Sequence, residues 1–369
     1  MRYHILLFFL FIALIRGNAQ QQEPLRVGII GLTHSHVHWI LGREDIGDIK
    51  VVGIVEPNRD LVQRFLDRHG KSNWMDMVYN TMDEMIKATK PEAVTAFGTI
   101  YEHLAVVEKC APLGIHVMVE KPLAVSMEHA TKMAALARKH NINLLTNYET
   151  TWYPTNHKAN ELLKSGEIGD LRKVVVHDGH RGPSKIGINK EFLDWLIEPK
   201  DNGGGAITDF GCYGVNLMTW MMGGKKPNTV TAVTAQLQPE NNPKVDDDAT
   251  IILSYDNVVA TIQPSWNWPV GRKDMEVYGL TGAIFADNRH DLRIRKAKGY
   301  DGFDETVMKL EELEAPYNDP FSMLASIVRR KIVLPPYDLT SLENNLIVVE
   351  ILEAAKMSAK SGQTIKLSK

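Results

Sequence analysis

Gly31, Thr33, His34, Ser35 and His36 form a short polar turn that follows the apolar run at residues 25–31 (LRVGIIG), and Glu56 closes the next apolar run 25 residues after Gly31. A strand, a glycine turn, a helix and an acidic residue ending the second strand make up the mononucleotide half of a dinucleotide site. The helix N-terminus attracts the pyrophosphate, and the carboxylate accepts from the adenosine ribose hydroxyls. A carboxylate at that point repels a 2'-phosphate, so the pattern favours NAD over NADP. The G-x-G-x-x-G spacing is incomplete, because Thr33 stands at the second glycine and His36 at the third. Thr33 is expected to crowd the pyrophosphate's approach, and His36 to disturb helix packing on the sheet. His34, His36 and His38 repeat as H-x-H-x-H. That repeat admits a metal pair of the kind used by barrel-fold hydrolases. It equally admits neutral hydrogen-bond donors or structural groups near a helix N-terminus, whose dipole disfavours protonation. The second reading is preferred and no metal is assigned.

A second polar group lies later in the chain. His177, Asp178, His180 and Arg181 sit at a strand exit before the glycine run at 203–205, and Trp152, Trp195, Trp266 and Trp268 offer flat apolar faces. Such faces stack on sugars. Trp152, His180, Arg181 and Trp266 are assigned to a substrate pocket. A metal held by His177, Asp178 and His180 is the less favoured alternative.

These residues need elements to position them. Strand-like runs at 25–31, 49–55, 93–97, 116–119 and 144–147 alternate with helical spacing up to about 41 and at 59–69, 104–113 and 127–140. That alternation predicts a Rossmann-type, doubly wound parallel sheet over 25–148. From about residue 171 the rhythm changes to strands at 174–177, 229–236, 250–255, 258–264 and 273–278, one adjacent pair joined by Asp256-Asn257. Residues 149–369 are therefore expected to form an α+β domain with a large, mainly antiparallel sheet, closed by a capped amphipathic helix at 341–358. The fold class is α/β with two domains.

The 369 residues are 44% hydrophobic and 24% charged, and 42 basic side chains nearly cancel 45 acidic ones. No long-range field gathers nucleic acid or anionic lipid, so neither partner is expected. Cys110 and Cys212 lack the paired spacing of a zinc site and are too few for a disulfide framework. They read as small buried hydrophobes. Arg2 and His4 precede an apolar run at 5–15 and the small residues Gly17-Asn18-Ala19. This is the pattern of a secretory signal peptide over 1–19, followed by a linker at 20–24. The run is shorter than the roughly 20 residues that span a bilayer, so no membrane insertion is expected. The mature chain is expected in the periplasm or another exported compartment.

His103, the segment 114–124 (GIHVMVEKPLA) with its Glu120-Lys121-Pro122 triplet, the segment 192–223 (FLDWLIEPKDNGGGAITDFGCYGVNLMTWMMG) and the segment 266–282 (WNWPVGRKDMEVYGLTG) occur in a consistent order. Over about residues 25–365 the chain resembles the glucose-fructose oxidoreductase and inositol dehydrogenase (Gfo/Idh/MocA) family. The resemblance implies that Lys121 sits beside the nicotinamide and the substrate hydroxyl, with His103 and Glu120 among the cofactor contacts. It matches Asp209 and Tyr213 to the acid-base pair, tyrosine standing where inositol-type members have histidine. It also implies a homo-oligomer formed through an exposed sheet face. Hydride removal from a secondary alcohol needs a group to take the hydroxyl proton. A lysine cation nearby is expected to lower the tyrosine's pKa, with Asp209 orienting or relaying.

The leading expectation is an NAD-dependent oxidoreductase acting on a secondary hydroxyl of a sugar, cyclitol or glycoside. One alternative on the same scaffold is a glycosidase that retains its nicotinamide and works by oxidation, elimination and reduction. Another is a non-catalytic sugar-binding protein. N-terminal sequencing of protein from the native cell should find a mature start near Gln20; an intact Met1 on cytoplasmic protein overturns the export expectation.

Overall fold

The computed structural model describes residues 23–368. The signal peptide read at 1–19 and the linker up to residue 22 lie outside them. Strands β1 (Leu25–Ile30), β2 (Ile49–Val55), β3 (Val78–Tyr79), β4 (Ala93–Ala96), β5 (His116–Glu120) and β6 (Leu144–Asn147) pair in the order β3-β2-β1-β4-β5-β6, every pair parallel. All four residues of β4 and of β6 are buried, as expected of strands covered on both faces. The strand order reverses between β1 and β4, which opens a crevice at their carboxyl ends. Gly31 leaves β1 at φ +73°, and a Cβ there would lie 2.9 Å from the backbone nitrogen of Gly98. Only glycine satisfies both conditions.

Two features of this sheet depart from the sequence expectation. The helix after the turn occupies only Val37–Leu41, with His36 as its N-cap residue and the His36 ring turned to Glu120. In addition, β3 and a helix at Met82–Thr89 were not anticipated. The helix is closed by a capping box, with Thr81 Oγ1 accepting from Glu84 N–H and Glu84 Oε2 accepting from Thr81 N–H, both at 3.2 Å. Its T-x-x-E signature is present in the sequence. A two-residue β3 is too short to show any periodicity.

The second sheet contains β7 (Leu171–Gly179), β8 (Thr229–Ala235), β9 (Asp248–Ser254), β10 (Val259–Ser265), β11 (Arg272–Gly279), β12 (Gly282–Ala286), β13 (Asp291–Lys298), β14 (Gly302–Lys309) and β15 (Ile365–Lys366). Their order is β14-β13-β12-β11-β7-β10-β9-β8-β15, antiparallel except for β7 with β10. Alternation buries Ile251, Ile262 and Val277 with residues of the helices Gly211–Met221 and Leu342–Ser361, while Val233, Ile252 and Val259 on the same sheet remain exposed.

The last part of the chain returns to the first sheet. Helix Pro320–Val328 places Phe321 and Leu324 in one core with Leu25 and Ile49. Helix Leu342–Ser361 contributes Leu342 and Val349 to the nucleotide-domain core and Ile347, Val348, Ile351 and Ala355 to the other. Farther along it, Lys356 Nζ donates to Val125 O at 3.2 Å and to Gly203 O at 3.0 Å, tying the two domains.

The glycine run ends in a staple. Asp246 accepts from Gly205 N–H at 3.0 Å and Ile207 N–H at 2.7 Å through its carboxylate, and its carbonyl accepts from Ala206 N–H at 3.0 Å. A Cβ on Gly205 would lie 1.7 Å from Asp246 O. Gly205→Ala should therefore cost about 3 kcal/mol, because backbone rather than a flexible side chain must move. Gly47→Ala, at φ +78° with nothing within 4 Å of the new Cβ, should cost only about 1 kcal/mol. Equal unfolding temperatures for the two variants would show that the staple does not constrain the run.

Candidate active site

At the carboxyl ends of β1 and β4 lies a cleft of about 500 Å³ whose lining includes Gly31, Thr33, Glu56, Gly98, His103 and Trp195. Glu56 is buried, with Oε2 accepting from Leu32 N–H at 3.0 Å and Oε1 from Asn58 N–H at 2.9 Å. Burial pushes its carboxyl above the usual range, and the two backbone donors pull the other way. Each oxygen keeps a second lone pair for a ribose hydroxyl. His103 is fully buried and shares Nδ1 with Leu123 O at 3.1 Å, which fixes the Nδ1–H tautomer. Its Nε2 is then an acceptor with no hydrogen-bond partner among the described residues. Burial lowers this ring's pKa to about 4. A glycine turn held against backbone, a buried carboxylate and an orphaned acceptor along one cleft fit an adenine dinucleotide.

The two residues that replace glycines turn out to be anchored. Thr33 Oγ1 accepts from Trp195 Nε1 at 3.0 Å, and Thr33 O accepts from Asn189 Nδ2 at 3.3 Å. His36 stacks on Trp39 with ring centroids 3.9 Å apart, and its Nδ1 lies 2.8 Å from Glu120 Oε2. Glu120 Oε1 accepts from Asn147 Nδ2 at 2.8 Å, and Asn147 Oδ1 accepts from Trp152 Nε1 at 3.1 Å.

A smaller cavity of about 180 Å³ is lined by His34, Ser35, Lys121, His180, Asp209 and Tyr213, together with Glu149, Phe210 and Lys273. Lys121 follows β5 in the first domain, and Asp209 ends the helix Ala206–Asp209 in the second. Lys121 Nζ donates to Asp209 O at 2.9 Å and pairs closely with Asp209 Oδ1, both side chains being buried. Burial opposes charge on both groups. The Lys121 ammonium nevertheless holds the Asp209 carboxyl below its usual range, and Asp209 raises Lys121 in return. The pair is therefore ionised. Asp209 Oδ2 accepts from Trp266 Nε1 at 3.0 Å.

Several assignments need correction. Trp266 is fully buried and supports Asp209 from behind, so it offers no face to a sugar. Arg181 is exposed and does not line this cavity. Trp152 is buried against Asn147 and borders a neighbouring pocket with Trp39 and Arg289. Tyr213 lines the cavity as expected, but its phenol is pushed well above its usual pKa by burial and by Glu149. Lys121 Nζ and Lys273 Nζ lie over the ring, 5.2 and 4.7 Å from its centroid, and burial outweighs them. Tyr213 is a protonated phenol at neutral pH. Sequence reasoning missed Glu149, Lys273 and Phe210. Lys273 pairs with Glu149, whose carboxyl burial would raise but Lys273 draws down to about 2. The signal lay in register: Lys273 on β11 stands opposite Asp178 on β7.

His34, His36 and Glu120 bring possible ligand atoms within 4.8 Å of one another. Their hydrogen bonds do not suit a metal. A ligating histidine donates a proton from its other nitrogen, whereas His34 Nδ1 accepts from His36 N–H at 3.1 Å. His177 is turned to Asp274, 3.0 Å away. Asp178 is buried, with both carboxyl oxygens lacking partners among the described residues, and burial pushes it well above the usual range.

Asp209→Asn would leave the Lys121 ammonium buried without a counter-charge and should destabilise the fold by about 3 kcal/mol at neutral pH. Because the folded carboxyl is depressed, its contribution is complete above the unfolded carboxylate pKa of about 3.9 and is lost as pH falls through the lower folded value. Denaturant titrations of both proteins should converge progressively as pH falls below the unfolded carboxylate pKa and through the depressed folded one. Equal stability at pH 7 would refute the charged pair.

A family model described as "Oxidoreductase family, NAD-binding Rossmann fold" matches residues 25–148, and one described as "GFO/IDH/MocA C-terminal domain" matches residues 156–285. Among curated relatives, a trans-1,2-dihydrobenzene-1,2-diol dehydrogenase of Xenopus tropicalis is 26% identical over 208 residues, 56% of this chain and 58% of the relative. The Homo sapiens enzyme of that name is 27% identical over 234 residues, 63% and 65% of the two chains. These matches span less than two thirds of the relatives' length. Among solved structures, aldose-aldose oxidoreductase from Caulobacter crescentus complexed with glycerol superposes with a TM-score of 0.74 at 21% identity, covering 94% of this chain and all of that one. An inositol dehydrogenase homolog complexed with NAD+ from Azotobacter vinelandii gives 0.78 at 16% identity, covering 94% and 98%. At that identity the superpositions speak for the fold. The two family models match both domains in order, and the chain belongs to the GFO/IDH/MocA family of NAD-binding oxidoreductases.

Proposed function

We propose that this protein is an NAD-dependent oxidoreductase acting on a secondary hydroxyl of an uncharged sugar, cyclitol or glycoside. The observation that carries the reading is the convergence of Lys121, just past the carboxyl end of β5 in one domain, with Asp209 and Tyr213 from the other on a single cavity. Open α/β sheets bind their ligands at this place. The nicotinamide, when bound, takes or returns the hydride. Lys121 Nζ draws the substrate oxygen and, as charge develops there, passes a proton to Asp209 Oδ1 while accepting the hydroxyl proton. Tyr213 contributes a phenol O–H donor. The two lysines in the cavity are balanced by Asp209 and Glu149, so the walls carry no excess charge to recruit a phosphate or carboxylate. Phe210, rather than Trp266, supplies an aromatic surface.

The apolar start at residues 5–15 supports a second reading, an exported enzyme that retains its nucleotide and recycles it within each turnover. The exposed residues of the large sheet, among them Val233, Ile252 and Val259, support assembly into a homo-oligomer.

Calorimetry should show tighter binding of NAD than of NADP, and Glu56→Ala should lose that binding. Tyr213→Phe keeps the ring and removes the donor, so turnover of a sugar substrate should fall by about 10²-fold with nucleotide binding intact. Near-normal turnover in Tyr213→Phe removes the tyrosine from the mechanism. Turnover without added nucleotide selects the recycling reading, and binding of sugars without turnover selects a binding protein.

A further inference from the structure

His34 and His180 stand on different domains and line the cavity that holds Lys121, Asp209 and Tyr213. Each ring has one nitrogen committed by the same local device. The N–H of His36 donates to His34 Nδ1 at 3.1 Å, and the N–H of Gly182 donates to His180 Nδ1 at 3.1 Å. A nitrogen that accepts a backbone N–H cannot carry its own proton, so the neutral ring carries its proton on Nε2. The backbone two residues downstream thereby selects the tautomer of both rings.

Both rings remain neutral. Burial holds His34 well below the ordinary histidine range, helped by His36 and Lys121, and burial lowers His180 against the pull of Asp209. Protonating either ring would set an N–H against a backbone N–H. Orientation is also held in advance: His34 lies 4.6 Å from the Phe192 ring and 5.9 Å from Trp195, and His180 meets Phe210 edge-on at 5.0 Å. The charged groups of the cavity are paired with one another. Two imidazole Nε2–H groups are left as neutral donors in the lining of one cavity.

We propose that His34 and His180 are substrate-positioning donors, one from each domain, whose Nε2–H groups hold oxygens of a single uncharged sugar or cyclitol across the crevice. This rests on the sugar-oxidoreductase reading above. A carbonyl oxygen can only accept, whereas a hydroxyl must also place its own proton. Donors of fixed tautomer therefore favour the keto form of the substrate over the alcohol, without supplying a proton themselves.

The test exploits the two positions on the ring. Glutamine places its amide nitrogen near the site of Nε2 and keeps the donor, whereas asparagine places its amide oxygen near Nδ1, keeping the backbone bond and losing the donor. Myo-inositol, a methyl glucoside and their keto derivatives are titrated calorimetrically into the NAD complex of wild type and of His34→Asn, His34→Gln, His180→Asn and His180→Gln. The asparagine variants should lose about 10- to 100-fold in affinity for the keto compound with NAD affinity unchanged. The glutamine variants should stay within about fivefold of wild type, a rescue that a purely structural role for the backbone bond does not give. Equal losses in both substitutions, unchanged binding in the asparagine variants, or a loss confined to NAD overturns the proposal. Binding of none of the probes by wild type overturns the sugar reading along with it, whereas wild-type binding with unaffected variants overturns the donors alone.

Discussion

The buried pair between Lys121 and Asp209 is the constraint around which the molecule is built. Removing an ammonium and a carboxylate from water costs several kcal/mol each, and the cost is offset only while the two stay in contact and their remaining valences are satisfied. Lys121 belongs to the nucleotide domain and Asp209 to the other, so the contact can persist only if the domains stay docked. Lys356 helps to hold them by donating to carbonyls of both, and the long helix that carries it threads both cores. Trp266 donates to the carboxylate oxygen that Lys121 leaves free, and Asp246 staples the start of the short helix ending at Asp209. Each of these contacts makes sense as support for one ion pair.

The same docking explains how the nucleotide turn tolerates its lost glycines. In an intact fingerprint, bare backbone approaches the pyrophosphate and the helix packs tightly on the sheet. Here Thr33 faces the second domain and is held by Trp195, while its carbonyl is held by Asn189. His36 is drawn to Glu120 and stacked on Trp39, at the start of a helix that spans Val37–Leu41. Within the turn Gly31, whose replacement would collide with the backbone of Gly98, is retained. The turn becomes part of the domain contact and carries side chains from the nucleotide cleft into the substrate cavity.

Local pattern in the sequence determined the architecture. Near-continuous apolar strands alternating with helices specify a parallel sheet whatever the rest of the chain does, and the boundaries of β2 and β6 fall at the residues that periodicity indicates. The Glu56 position was legible because it follows the end of a strand, and Lys121, Asp209 and Tyr213 through the family resemblance of segments 114–124 and 192–223. β3, two residues long, is too short for a period, and β14 is exposed along nearly its whole length and shows no buried face; these strands, with β12 and β13, were not legible.

Tertiary structure decided what those side chains do. Trp266 and Trp152 are flat aromatic residues in the sequence, and only packing shows that their N–H groups face inward to Asp209 and Asn147. Lys121 and Tyr213 could be foreseen as neighbours, but the sign of the tyrosine's shift depends on how completely the phenol is buried. The ammonium makes a cation–π contact with the ring, and complete burial, which only the docked domains impose, raises the phenol. Glu149 and Lys273 are 124 positions apart in the chain and meet only because β11 packs beside the residues that follow β6. Periodicity reports which face of an element is apolar. Distances, tautomers and the direction of a pKa shift depend on which faces meet, and that is set by the docking of two domains around one pair of charges.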